Sequence, residues 1–177
     1  GAISANAALV TQRTGAGGSI NIIAGSIAGN GVISANSATN VTSDSPGGGG
    51  RVALAVTNAG ADFLEYAGPI TAYGGRKPGS TCGGAGTVYL REAGQGLYEG
   101  TLFVDNDNML GLGTEISSNV LDATVGNVFI RNGGLLRINT NQTLTLSGDW
   151  HNSASFTGLT DSAVTFHGPP ASTSSVH

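Results

Sequence analysis

The chain has little of what most proteins use for chemistry or for strapping a fold together. Its 177 residues include one cysteine (Cys82), one tryptophan, one methionine and one lysine (Lys77), and only 10% are charged, against a usual ~25%. A single cysteine excludes an intramolecular disulfide framework and a multi-cysteine zinc site. With seven basic residues against eleven acidic ones and a net charge of −4, there is no basic run, so nucleic-acid binding lacks its electrostatic footprint. No apolar stretch approaches the ~18 residues of a membrane span, and insertion into a bilayer is not expected. Disorder is not expected either, because hydrophobic residues make up 39% of the chain and high net charge is missing.

Glycine is what the chain has in plenty, with 30 residues, and the glycines are not scattered. The opening Gly1-Ala2-Ile3-Ser4-Ala5-Asn6 returns as Gly31-Val32-Ile33-Ser34-Ala35-Asn36 and, more loosely, as Gly68-Pro69-Ile70-Thr71-Ala72-Tyr73. Each copy is followed by a glycine cluster that runs into a short apolar segment: Ser19–Ile23, Arg51–Val56 and Thr87–Arg91. From Ile3 to Ile20, Ile33 to Val52 and Ile70 to Val88 the spacing is 17, 19 and 18 residues. A near-constant spacing beside variable loops is a repeat signal, and periods of ~20–50 residues indicate stacked or radial repeat folds. Within each unit Ile20/Ile22, Val52/Leu54 and Val88/Leu90 alternate with Asn21, Ala53 and Tyr89, the period of strands with one buried face. Stacking equivalent strands ~4.8 Å apart predicts two aliphatic columns, Ile20–Val52–Val88 and Ile22–Leu54–Leu90. The glycines suit sharp corners, where positive φ and close backbone approach leave no room for a Cβ. Serine and asparagine of the Ile-Ser-Ala-Asn element are placed to bond from one repeat to the next. Short helices are expected at most over Asp62–Tyr66 and Glu115–Thr124.

Near residue 100 the repeat changes type. Thr101–Val104, Val128–Arg131, Leu135–Asn139 and Gln142–Leu146 read as half-buried strands separated by Gly, Asn and Asp. The chain then runs through Gly148-Asp149-Trp150-His151-Asn152, Phe156-Thr157 and Val164-Thr165-Phe166-His167-Gly168. The Pro/Ser/Thr-rich stretch 169–177 reads as a frayed tail or linker. These two elements, the glycine cluster with its Ile-Ser-Ala-Asn partner and the Gly-Asp-Trp ending, resemble repeats of very large bacterial secreted and cell-surface proteins. The resemblance covers most of residues 1–168. It implies a right-handed parallel β-helix of the pectin-lyase-like or adhesin type, here a single domain of about seven rungs. The alternative fold is an antiparallel β-sandwich. Because the first residues already lie inside the recurring pattern, the chain reads as a piece of a longer one. The resemblance further implies an extracellular or cell-surface location, and it brings no catalytic signature that matches residues here. Such a fold hosts lyases, hydrolases, adhesins and passive stalks alike.

The sites that the residues offer are therefore few. Asp105-Asn106-Asp107-Asn108 reads as an Asx-rich turn ending a strand. Its alternative is a Ca²⁺ site, because Asp105 and Asp107, alternating on an extended segment, would aim hard oxygen ligands the same way. A polysaccharide lyase would pair such a cluster with a basic residue: Arg76 or Lys77 in a loop, or Arg91, for which a surface ion pair with Glu92 is the plainer expectation. Arg131 and Arg137 are expected to face outward beside Asp149 or Asp122. Tyr73 and Tyr89 belong to one repeat unit, and Tyr89 alternates away from the Val88/Leu90 face. Flat rings on a surface are a handle for sugars, so the two tyrosines are the candidate ligand-binding strip, with packing under a loop as the alternative. Trp150 reads as a core plug. His151 and His167, 16 apart, form no ligand motif with His177, and the glycine clusters lack the Gly-Lys-Ser/Thr ending of a phosphate loop. Thr143 and Thr145 make only a short threonine row. Asn40-Val41-Thr42 and Asn141-Gln142-Thr143 are acceptor sequons. The expected function is a non-catalytic structural or adhesive segment whose partners are flanking repeats or a second copy joined end to end. A carbohydrate-binding module or a polysaccharide-degrading enzyme is the alternative.

Overall fold

Short runs of β-branched and apolar residues bounded by Gly, Asn and Asp favour strands over helices, and the computed structural model is all-β. It describes residues 1–8, 14–39, 46–76, 79 and 81–168; the tail 169–177, the sequon at Asn40, Lys77 and His177 lie outside the described residues. The first half supplies β1 (Ala2–Ser4), β2 (Ser19–Ala24), β3 (Val32–Ser34), β4 (Arg51–Val56), β5 (Ile70–Thr71) and β6 (Thr87–Arg91). The second half supplies β7 (Thr101–Asp105), β8 (Thr114–Ile116), β9 (Thr124–Val125), β10 (Asn127–Arg131) and β11 (Leu135–Ile138). It continues with β12 (Thr143–Leu146), β13 (Trp150–Asn152), β14 (Ser155–Gly158) and β15 (Ala163–Phe166). They form a six-stranded sheet ordered β13-β10-β7-β6-β4-β2 and three three-stranded sheets ordered β1-β3-β5, β14-β11-β8 and β15-β12-β9.

Between these strands every ladder is parallel except one. The pairing is not that of an antiparallel sandwich. The expected columns are present: Ile20 lies opposite Val52 and Val52 opposite Val88, Ile22 opposite Leu54 and Leu54 opposite Leu90. Ile3, Ile33 and Ile70 make a third. The side-chain ladder is present as well, Asn6 Oδ1 accepting from Asn36 N and Asn36 Oδ1 from Tyr73 N, both at 2.7 Å.

The exception is β6 with β7, which pair antiparallel, Val88 opposite Phe103 and Tyr89 opposite Leu102. The chain reverses through 92–100, and the core changes sides of the sheet with it. Val88, Leu90 and Phe103 pack with Ile20, Val52, Leu54 and Ile33. Their strand neighbours Tyr89, Leu102 and Val104 pack with Val128, Ile130, Leu136, Leu144 and Trp150. Adjacent residues on a strand face opposite sides, so the six-stranded sheet carries one core on each face, under β1-β3-β5 at one end and under the other two sheets at the other.

Three expectations need correction. The largest sheet among the described residues has six strands, against the expected count of about seven rungs, because successive first-half strands of one sheet lie thirty or more residues apart on account of the loops between them. Neither expected helix forms: Asp62–Tyr66 is a turn, and Glu115–Thr124 is the end of β8, a turn and the start of β9. Asp62 Oδ1 accepts from Leu64 N, Tyr66 N donates to Phe63 O, and Val120 N donates to Ser117 O, so local side-chain and turn bonds satisfy the amides that a helix would use. The corner glycines keep ordinary φ; positive φ falls at Gly29, Gly60, Gly79, Gly94 and Gly133 instead. Close approach alone explains the corners: a Cβ on Gly50 would collide with the carbonyl oxygen of Gly18, and one on Gly86 with that of Gly50.

Candidate functional site

The sheet β1-β3-β5 stops after three strands, whereas the six-stranded sheet beneath it runs on for three more. The step leaves a groove of about 320 Å³ along β5, walled by Gly68 to Tyr73 and floored by Val88, Leu90 and Phe103, with Asp105 and Arg131 at one side. Beyond the floor the same sheet face carries an aromatic row, because register stacks Phe103, Phe129 and His151 on consecutive strands. Their rings lie 5.2 Å and 4.4 Å apart and within 19° of parallel. The Arg131 guanidinium sits 5.1 Å from the centre of the Phe103 ring, at cation–π distance.

The Asp105 carboxylate is engaged on every side that the structure shows. Its Oδ2 accepts from Arg131 Nε at 2.7 Å and Asn132 Nδ2 at 2.9 Å, and its Oδ1 accepts from Asp107 N at 3.0 Å. Asp107 and Asn108 then take φ of 52° and 60°, so the string is the Asx turn of its plainer reading. The turn breaks the alternation that would have aimed Asp105 and Asp107 the same way. Among the described residues no three His, Cys, Asp or Glu side chains converge as a metal group. Between the two aspartates Asn106 is buried. Its Nδ2 donates to Gly83 O and Met109 O, and its Oδ1 accepts from Gly74 N at 2.8 Å.

Tyr73 and Tyr89 are not brought together. Tyr73 lines the groove, half-buried, and its phenol is held above its ordinary range by burial first, then by the charges of Asp105 and Asp107, with Arg131 opposing. Tyr89 points to the other face of the six-stranded sheet and packs under a loop against the second core. Its hydroxyl donates to Leu97 O at 2.7 Å and accepts from Gly100 N at 2.9 Å, which ties down the reversal through 92–100. Burial raises its phenol also, more than the Gly100 bond and Arg91 lower it.

The arginines pair differently from expectation. Arg131 meets Asp105 rather than Asp149 or Asp122, and Arg137 Nη1 meets Glu115 Oε1 at 3.2 Å. Both pairs follow from register, which sets Arg131 opposite Asp105 and Arg137 opposite Glu115. Arg91 Nη1 donates to Gln95 O at 3.0 Å, while Gln95 Oε1 accepts from Glu92 N. Trp150 is the expected plug, 6% exposed and edge-on to Phe156 at 4.9 Å. His151 belongs to the aromatic row; His167 follows β15 in another sheet.

Phe103 and Phe129 went unmarked as site residues. Their signal was the unbroken apolar runs Leu102-Phe103-Val104 and Val128-Phe129-Ile130, which mark strands covered on both faces. A wider groove of about 570 Å³ lies on the opposite face, where β8 and β9 end their sheets beside Arg51 and Thr87. What the β5 groove offers chemically is binding, through an apolar floor, a strand edge and a fixed ion pair. Compared with protein-family models, with curated proteins and with solved structures, the chain matches none.

Proposed function

We propose that the chain is a non-catalytic structural segment of an extracellular bacterial surface protein, built as a right-handed parallel β-helix that spaces or presents other modules. The observation that carries this reading is the parallel register of the aliphatic columns Ile3–Ile33–Ile70, Ile20–Val52–Val88 and Ile22–Leu54–Leu90. Columns of this kind are how repeats bury side chains that no single repeat can bury alone. The reversal at β6–β7 is compatible with one winding sense, because chain direction and core face invert together and the two inversions cancel. A right-handed sense is favoured because parallel crossovers take that hand in ~98% of cases.

The ends support a role within a longer array. Among the described strands β1 and β2 each have a free edge at the first-half end, where Ile3 is 49% exposed, and β13, β14 and β15 have free edges at the other, where Phe166 is 39% exposed. Open edges and bared columns call for cover. Two free strands facing three are a poor match for head-to-tail copies, so flanking coils of the same kind are the better fit. A single cysteine is compatible with an exported stalk that avoids stray thiols.

The test is to fuse a duplicate of residues 1–30 ahead of Gly1 and to follow thermal unfolding beside a fusion whose added coil has its isoleucines replaced by serine. A higher unfolding temperature for the first fusion alone is the expected result. Equal temperatures would overturn the stacking on which the reading depends. Antibody labelling of intact producing cells tests the surface location, and labelling only after lysis would refute it.

A further inference from the structure

We propose that the free edge of β5 is a strand-addition site that takes an extended peptide segment with one aliphatic side chain. The Pro69 and Thr71 carbonyls accept from Ile33 and Ala35 on the β3 side. Alternation along the strand therefore turns the N–H and C=O of Ile70 to the other edge, where β5 has no partner among the described strands. The groove in front of that edge has the place of a short fourth strand, whose main-chain pairing ends before Ala72 because the Ala72 carbonyl accepts from Gly86 N at 2.6 Å. It runs along Gly68 to Tyr73, and its floor of Val88, Leu90 and Phe103 lies where an aliphatic residue in register with Ile33 and Ile70 would extend their column.

The occupant follows from the shape and chemistry of the recess. Gly68 to Tyr73 contains no charged residue to repel an incoming strand, one of the devices that keep edges from pairing. The edge stops three strands short of the six-stranded sheet that runs on beneath it, so an added strand would lie along β5 on a floor already in place. A sugar would seek bare ring faces, but Phe103, Phe129 and His151 turn theirs to one another. Main-chain bonds to an edge with pockets for alternate side chains are instead the pattern of peptide addition. The Asp105–Arg131 pair at one side of the groove gives the bound strand a polar contact that helps to fix its register.

The probe is a capped synthetic peptide with the sequence of residues 29–38, GNGVISANSA, which already carries the pattern of this sheet. Titrated into the intact chain, it is expected to bind saturably at one site, to shift the Ile70 amide resonance and to slow its exchange. The same peptide N-methylated at its valine and at the serine that follows its isoleucine, the positions whose main chain faces the preceding strand in β3, keeps its side chains but loses the donors aimed at β5, and it should bind at least about tenfold more weakly. This control needs no variant of the protein and so does not depend on one folding. No saturation at millimolar peptide, equal binding of the N-methylated form, or displacement by neutral oligosaccharides would each overturn the proposal. Those outcomes leave the stacking of the coils untouched, because the fusion experiment reads that separately.

Discussion

Two phenols set a limit on the alkaline stability of the fold. Tyr73 and Tyr89 both have their ionisation pushed above the ordinary value of about 10, burial being the largest cause in each. For Tyr73 the carboxylates of Asp105 and Asp107 add to the effect, and for Tyr89 the bond from Gly100 N opposes it. The folded chain therefore keeps two protons that the unfolded chain releases above about pH 10. With more protons bound in the folded state, stability falls as pH rises. The contribution is whole below the unfolded value and disappears as pH passes through the raised folded one. The urea midpoint is expected to be flat up to about pH 9 and to drop beyond about pH 10, and Tyr73→Phe should shallow the drop. An unchanged slope in that variant would mean that other groups set the alkaline limit. Asn106 works by geometry instead: a side chain 1% exposed supplies an acceptor to Gly74 N and donors to Gly83 O and Met109 O, groups that would otherwise lie buried and unbonded.

At the scale of elements, the glycine corners decide how closely one repeat can lie on the next. At Gly50 there is no space for a methyl group, since the backbone of Gly17 and Gly18 occupies it, and Gly50 itself is buried with an ordinary φ. Gly50→Ala should therefore destabilise at the upper end of the ~1–3 kcal/mol typical of overpacking or beyond it, read as a lower urea midpoint. Gly60→Ala makes the contrast: open space surrounds it and its φ is +76°, so its smaller cost would be conformational alone. If both variants lost the same stability, close approach would not be what the corner glycines serve. These corners, the strands after them and their register were legible because side-chain alternation and the 17- to 19-residue spacing are local patterns. The reversal between β6 and β7 was not. It depends on Tyr89 reaching Leu97 and Gly100 and on Leu102 and Phe103 choosing opposite cores, and neither follows from alternation in a single strand. The groove was half legible. Tyr73 and Asp105 were in view, but the wall that makes them neighbours exists only because β5 ends its sheet where β7 continues the other.

For the whole molecule the question is whether the two halves unfold as one body. The antiparallel ladder that joins them registers only Val88, Tyr89 and Leu90 against three partners, whereas β2 and β4 register over six residue pairs. By hydrogen bonds alone the junction would be the place to break. Burial argues the other way, because β6 and β7 are the strands pressed by a core on each face: Val88 and Phe103 toward one, Tyr89, Leu102 and Val104 toward the other. Removing apolar surface from water contributes ~25 cal/mol per Å², whereas a net hydrogen bond adds only ~0.5–1.5 kcal/mol, so the doubly covered strands should dominate. In a row of coupled repeats the terminal members also have one neighbour instead of two. Native-state hydrogen exchange should accordingly be slow without a break through the central strands β4, β6, β7 and β10, the junction included, and quicken outward, toward β2 at one end and β13 to β15 at the other. Two separate maxima, one in each half with fast exchange at β6 and β7 between them, would show instead that the halves are independent bodies held by a hinge. The covered faces of that junction would then contribute less than their burial implies, and the β5 groove, which lies across it, would have a floor that moves against its wall.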